Sequence, residues 1–288
     1  DLEAAADAYR TAIELHPEYP EARNNLGTVY TDLGQYESAR SSYEKALEQR
    51  PHYALAHLNL GNLERNLGNA DKAENCYRRA IELNPEYAEA YNNLGNLLHL
   101  QGDPDAAKEH FAKALELRPN YPDAQLNFAR MLLTEGGIKA ATEILSELLS
   151  SDPNNVKALN EMSGAYSELA KHQESLAILQ KSYRLEPDNA TTCNMMGSAC
   201  YALGYVDEAI ECLKKATALE PANLAFHQNF CGILEQAHRR DELVVALQQG
   251  RENCTDNAGL FDIVAARLLI SDGDQASART MLKSLSTD

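Results

Sequence analysis

Seven prolines set the frame for what this chain can become. Pro17, Pro51, Pro85, Pro119, Pro153, Pro187 and Pro221 follow one another at a constant interval of 34 residues, and Thr255 takes the next place in the series. They are seven of only ten prolines in the chain, so independent placement does not account for them. A fixed period of this length marks a stacked repeat, in which one supersecondary unit is copied and each copy buries its apolar face on the next.

Other columns keep the same period. Leu26-Gly27, Leu60-Gly61 and Leu94-Gly95 continue as Phe128-Ala129, Met162-Ser163, Met196-Gly197 and Phe230-Cys231. A column of small residues runs through Ala39, Ala73, Ala107, Ala141, Ser175 and Ala209, and a bulky one through Tyr43, Tyr77, Phe111, Leu145, Leu179, Leu213 and Leu247. Inside one unit the spacing is helical: Tyr91, Leu94, Gly95 and Leu98 share one face, and Ala107, Phe111, Ala114 and Leu115 share another. Gly34, Gly68, Gly102, Gly136 and Gly204 punctuate the two faces, where a left-handed helix end favours glycine. Ala170 and His238 hold that place in two later units. Each repeat proline follows the second helix, where no amide donor is needed.

These residues resemble the tetratricopeptide repeat (TPR) family, and the resemblance covers the whole chain. It implies an all-α fold: a single array over 1–288, built of antiparallel helix hairpins that form a right-handed superhelical solenoid. The array begins with the second helix of a truncated repeat at 1–15. Repeats follow at 20–53, 54–87, 88–121, 122–155, 156–189, 190–223 and 224–257, with a degenerate terminal one at 258–288. In this family the first helices line the concave surface.

Two residues past each repeat proline the chain changes character. Tyr19, Tyr53, Tyr87 and Tyr121 give way to Asn155, Asn189, Asn223 and Asn257. Tyrosine there packs over the turn between neighbours, and asparagine caps the next helix.

Composition narrows function by exclusion. With 43 acidic against 26 basic residues, a net charge of −17 repels nucleic acid and anionic membrane. No apolar run approaches the roughly 18 residues of a spanning helix. Serine-hydrolase, zincin, P-loop and dinucleotide signatures are absent from the sequence, and no cofactor is expected. The eight histidines lack ligand spacing, and His57 and His227 stand in a packing column with Tyr91. The six cysteines lack a CxxC pair, so they read as small apolar groups of a reducing, cytoplasmic compartment, free rather than paired. The two N-x-T strings, at Asn189 and Asn253, matter only in a secretory lumen. The chain opens on Asp1 already in a helical pattern and reads as an excerpt of a longer protein or a processed form.

One enrichment points to binding. Asn25, Asn59, Asn93 and Asn127 recur every 34 residues, and after Glu161 and Met195 the column resumes at Asn229; Asn24, Asn62, Asn92, Asn96, Asn160 and Asn194 lie beside it. Asparagine is a mediocre helix former, so its repetition inside first helices needs a reason. It precedes the packed Leu by one residue, which turns it toward the concave side. One reading is a ladder of amides gripping an extended peptide backbone. The column is similar to the asparagine ladder in the TPR arm of O-linked N-acetylglucosamine transferase. The other reading is local, with each amide bonded to the adjacent repeat. A basic clamp for acidic C-terminal tails is missing, since Glu21, Leu55, Glu89 and Asp123 occupy the equivalent positions.

The expected function is a non-enzymatic scaffold that binds a peptide or protein segment in the concave groove. The rival is the substrate-recruiting arm of a larger enzyme of glycosyltransferase or sulfotransferase type. A third reading is self-association through a terminal or convex surface.

Overall fold

A computed structural model describes residues 1–271 and 273–284, and among them no strand occurs. Eight helices are first members of hairpins: α2 (Pro20–Asp32), α4 (Ala54–Asn66), α6 (Ala88–Leu100), α8 (Pro122–Thr134), α10 (Val156–Glu168), α12 (Ala190–Ala202), α14 (Leu224–Gln236) and α16 (Ala258–Ser271). The second members are α3 (Tyr36–Gln49), α5 (Ala70–Leu83), α7 (Pro104–Leu117), α9 (Ile138–Ser151), α11 (His172–Leu185), α13 (Val206–Leu219), α15 (Arg240–Asn253) and α17 (Gln275–Ser284). The unpaired α1 (Leu2–Leu15) precedes them. The chain divides into two units, 1–144 and 145–288.

In the first unit the hairpins close on the small-residue columns. Ala39, Ala73 and Ala107 are wholly buried, and Tyr77 and Phe111 are the largest side chains with no exposure. Gly95 lets α6 approach α7: a Cβ there would stand 3.2 Å from both the Ala107 carbonyl oxygen and the Phe111 ring. Phe111 stacks on Phe128 of the next hairpin with ring centres 5.7 Å apart, which carries the core from one repeat into the next.

The second unit uses different chemistry at the same places. Ser163, Ser175 and Ser182 replace small apolar residues and are fully buried. Their hydroxyls are satisfied: Ser163 and Ser175 lie 2.8 Å apart, and Ser182 donates to Asn160 Oδ1 at 2.8 Å. Asn160 in turn donates to Thr192 Oγ1 of the following first helix at 2.9 Å. A buried hydroxyl without such a partner would cost about 1–3 kcal/mol, so the three-residue network has to form as a set.

Inside each hairpin the turn is the same left-handed one. Gly102 has φ +83°, and Asp103 N–H returns to the Leu98 carbonyl at 3.0 Å. Ala170 and His238 adopt φ +57° in the equivalent turns, with matching bonds from Lys171 to Tyr166 and from Arg239 to Leu234 at 2.8 and 2.9 Å. The turn is thus imposed by hairpin packing even where the residue resists it. Between hairpins, Asn155, Asn189 and Asn223 cap α10, α12 and α14 by accepting from the backbone N–H three residues on. Tyr19, Tyr53, Tyr87 and Tyr121 stand at the same places in the first unit without a side-chain cap bond. Asn257 departs from the capping expectation and falls within a 3₁₀ turn, Thr255–Asn257, where Thr255 replaces the repeat proline.

Candidate functional site

The repeated asparagines are set on the first helices by the same register that buries the neighbouring leucines. In the first unit, Asn24 and Asn92 are buried, Asn25 is exposed, and Asn59, Asn62, Asn93, Asn96 and Asn127 are half-buried. Their amides meet across repeats. Asn59 Nδ2 donates to Asn24 Oδ1 at 3.0 Å, Asn93 Nδ2 to Asn62 Oδ1 at 2.8 Å, and Asn127 Nδ2 to Asn92 Oδ1 at 3.1 Å. Each bond runs from the later repeat to the earlier one.

Within single helices, Asn24 donates to Asn25 Oδ1 at 3.3 Å and Asn92 to Asn93 Oδ1 at 3.1 Å. The Tyr77 hydroxyl adds a second bond to Asn62 Oδ1 at 2.9 Å. Burial pushes the Tyr77 hydroxyl up to about 12, so it stays protonated and able to donate. Asn96 makes no side-chain hydrogen bond among the described residues. In the second unit Asn229 Nδ2 reaches Asn194 Oδ1 at 2.8 Å and Ser198 Oγ at 3.0 Å. Ser198, four residues past Asn194 on α12, was outside the sequence-derived set; its helical spacing was the signal for it.

The strip of amides is thus preorganised. A side-chain amide has two N–H groups and two acceptor lone pairs, and one inter-repeat bond uses a fraction of that capacity. Beside the strip, Glu21 pairs with Arg50 at 2.7 Å and Glu89 with Arg118 at 3.8 Å. Both guanidinium groups lie over tyrosine rings, Arg50 above Tyr53 at 5.1 Å and Arg118 above Tyr121 at 4.6 Å. The cation–π contacts hold these arginines at the hairpin junctions, where they neutralise two of the acidic first-turn positions.

The other polar residues flagged by sequence go to packing. The sixth residue after a repeat proline reaches back to that proline's carbonyl: His57 Nε2 to Pro51 at 3.0 Å and His227 Nε2 to Pro221 at 2.9 Å. A carbonyl only accepts, so Nε2 carries the proton in both rings. Burial lowers the His57 pKa, which keeps this ring neutral. All six cysteines are free thiols, and burial pushes Cys76 up to about 11 and Cys231 up to about 12. Among the described residues no group of three His, Cys, Asp or Glu side chains is placed to hold a metal ion. No described helix is long and apolar enough to cross a membrane.

Models of the tetratricopeptide repeat match residues 52–120, 98–163, 156–189 and 190–223, and a TPR repeat model matches 1–32 and 27–63. No curated protein matches the sequence. Solved structures are similar in fold. A tetratricopeptide repeat protein from Parabacteroides merdae superposes with a TM-score of 0.65 at 23% identity, over 81% of this chain and 93% of that one. PilW, a type IV pilus biogenesis factor, gives 0.67 at 24% identity over 75% and 98%. YrrB, a TPR protein with an unusual peptide-binding site, gives 0.51 at 24% identity over 65% and 96%. Proteins built of such repeats act as protein-interaction scaffolds, and this chain belongs to the tetratricopeptide repeat family.

Proposed function

We propose that the first-helix face binds an extended peptide or protein segment through its asparagine amides. The observation that carries the reading is the inter-repeat strip Asn24–Asn59, Asn62–Asn93 and Asn92–Asn127, with donor–acceptor distances of 3.0, 2.8 and 3.1 Å. Amides already fixed to one another lose little side-chain entropy on meeting a ligand, so more of each new hydrogen bond appears as affinity. Asn229, Asn194 and Ser198 offer the same chemistry in the second unit. Similarity to a TPR protein described by its peptide-binding site supports a peptide as the ligand class.

The test is selection from a random dodecapeptide library, followed by titration of the recovered peptide against the wild type and the N59A/N93A/N127A triple variant. Affinity measured on the folded fraction is expected to fall by about 1.5–4.5 kcal/mol if three bonds of about 0.5–1.5 kcal/mol add. Unchanged affinity would remove the amides from the binding face and leave them as bridges between repeats.

A further inference from the structure

A cleft of about 530 Å³ lies in the first unit between α1, α2 and α3, away from the amide strip. One of its lining residues, Ser42, belongs to a repeat column of varied size. Ser42, Cys76, His110, Ile144, Ile178, Cys212 and Ala246 stand 34 residues apart. In the third hairpin His110 fills the equivalent space, its ring 6.0 Å from that of Tyr91. A related cleft of about 620 Å³ recurs in the second unit beside Ala246, where Phe230 and Val245 make its wall apolar. The cleft is therefore a product of the repeat, and its lining is a local choice.

In the first cleft that choice combines cationic and hydroxyl donors with two carboxylates. Arg23, Tyr30 and Ser41 line it and are half-buried, while Lys45, Glu14 and Glu37 are exposed at its mouth. Arg23 commits one Nη2 N–H to the Pro17 carbonyl at 3.0 Å and its Nη1 makes no hydrogen bond among the described residues, while its Nε is shut off from solvent and out of a ligand's reach. The Tyr30 and Ser41 hydroxyls and the Lys45 ammonium make no hydrogen bond or ion pair among the described residues. Leu26 and Ile13 supply an apolar wall. Guanidinium, ammonium and hydroxyl donors that line one cleft suit an oxyanion, and charge-assisted bonds of this kind are about twice as strong as neutral ones. The carboxylates at the mouth repel a second negative charge.

We propose that this cleft binds a monocarboxylate on a short apolar body, with the carboxylate on Arg23 and Lys45 and the body against Leu26 and Ile13. The volume lies within the range of small-ligand sites, about 300–1,000 Å³. From α2 the cleft takes Arg23, Leu26 and Tyr30 and neither Asn24 nor Asn25, so the site adds to the amide face and does not compete with it.

The probe is 3-phenylpropionate, titrated into the full chain while the Arg23 side-chain Nε–H resonance is followed. Saturable displacement of that signal is expected. Lys45→Met, a change at an exposed position, should weaken binding by about tenfold or more, as loss of a charged hydrogen bond does. Glu14→Gln should tighten it, and the neutral 3-phenylpropanamide and the dianionic phenyl phosphate should bind more weakly than the acid. The proposal is overturned if the Arg23 signal does not move, if the amide binds as well as the acid, or if Lys45→Met binds unchanged with an unaltered circular dichroism spectrum.

Discussion

Arg40 on α3 grips both carboxylate oxygens of Glu64 on α4, Nε to Oε1 at 2.6 Å and Nη2 to Oε2 at 3.3 Å, and so ties the first hairpin to the second. Glu64 is only 2% exposed, and Asn69 Nδ2 closes its second oxygen at 2.7 Å. Burial pushes the carboxyl up, but the Arg40 and Asn69 bonds outweigh it and hold the pKa below the ordinary value. A depressed carboxylate stabilises the fold above its unfolded pKa, near ~4.3, and loses that contribution as pH falls through the folded value. Glu64→Gln should cost about 1–3 kcal/mol at pH 7. Melting curves of wild type and variant should converge as pH falls below about 4. A gap that stays constant across that range would separate Glu64 from the ion pair.

The left-handed turns give a prediction of opposite sign. Ala170 and His238 sit at φ +57°, a conformation that costs a side-chain-bearing residue about 1–2 kcal/mol relative to glycine. Ala170→Gly and His238→Gly should each raise stability by about 0.5–1 kcal/mol, the gain reduced by the extra freedom of glycine in the unfolded chain. Gly102→Ala, at φ +83° with open space around it, should lose a similar amount. Denaturation midpoints of the three variants check the set together.

Overpacking is most severe where the obstacle is backbone. Gly95→Leu meets the Ala107 carbonyl oxygen, which cannot rotate away, and should cost about 1–3 kcal/mol or more. An unchanged melting temperature would contradict the close approach of α6 and α7.

Asn96 separates binding from stability. It has no side-chain partner among the described residues, so Asn96→Ala should leave the fold intact or slightly firmer, alanine being the better helix former. Affinity for a ligand of the first-helix face should fall by about 0.5–1.5 kcal/mol. The N59A/N93A/N127A variant should instead lose both, because it also removes three inter-repeat bonds. Thermal melting and peptide titration on one preparation distinguish the two patterns.

Burial should slow the reaction of two of the thiols. With Cys76 raised to about 11 and Cys231 to about 12, little thiolate forms at neutral pH, and both should alkylate more slowly than free cysteine. Thiol titration under denaturing, non-reducing conditions should count six. A smaller count would reveal a disulfide.

The helical repeat was legible because it is written in spacing. The columns Leu94-Gly95, Ala107 and Phe111 state which faces meet, and period alone assigns them. The non-glycine turns were legible as departures, at Ala170 and His238, but their conformation was not, since sequence shows the residue and not whether the hairpin overrides its preference. The amide column was legible as an enrichment. Its mutual bonding was left open, because a half-buried amide facing a ligand and one facing the next repeat share the same period. The ties from Arg40 to Glu64 and from Asn160 through Ser182 to Thr192 were missed. They join residues of unlike columns, and periodicity compares a column only with itself.

The one-way bonds along the amide strip bear on how such an array grows. A repeat that presents a donor to the unit before it and an acceptor to the unit after it is complementary to its own copy. Asn59 uses Asn24 while Asn93 uses Asn62, so the acceptor can shift by a helical turn when Leu58 occupies the usual place. Duplication of a 34-residue segment therefore creates a junction whose polar groups already match, and lengthening the array needs no compensating substitution at the seam.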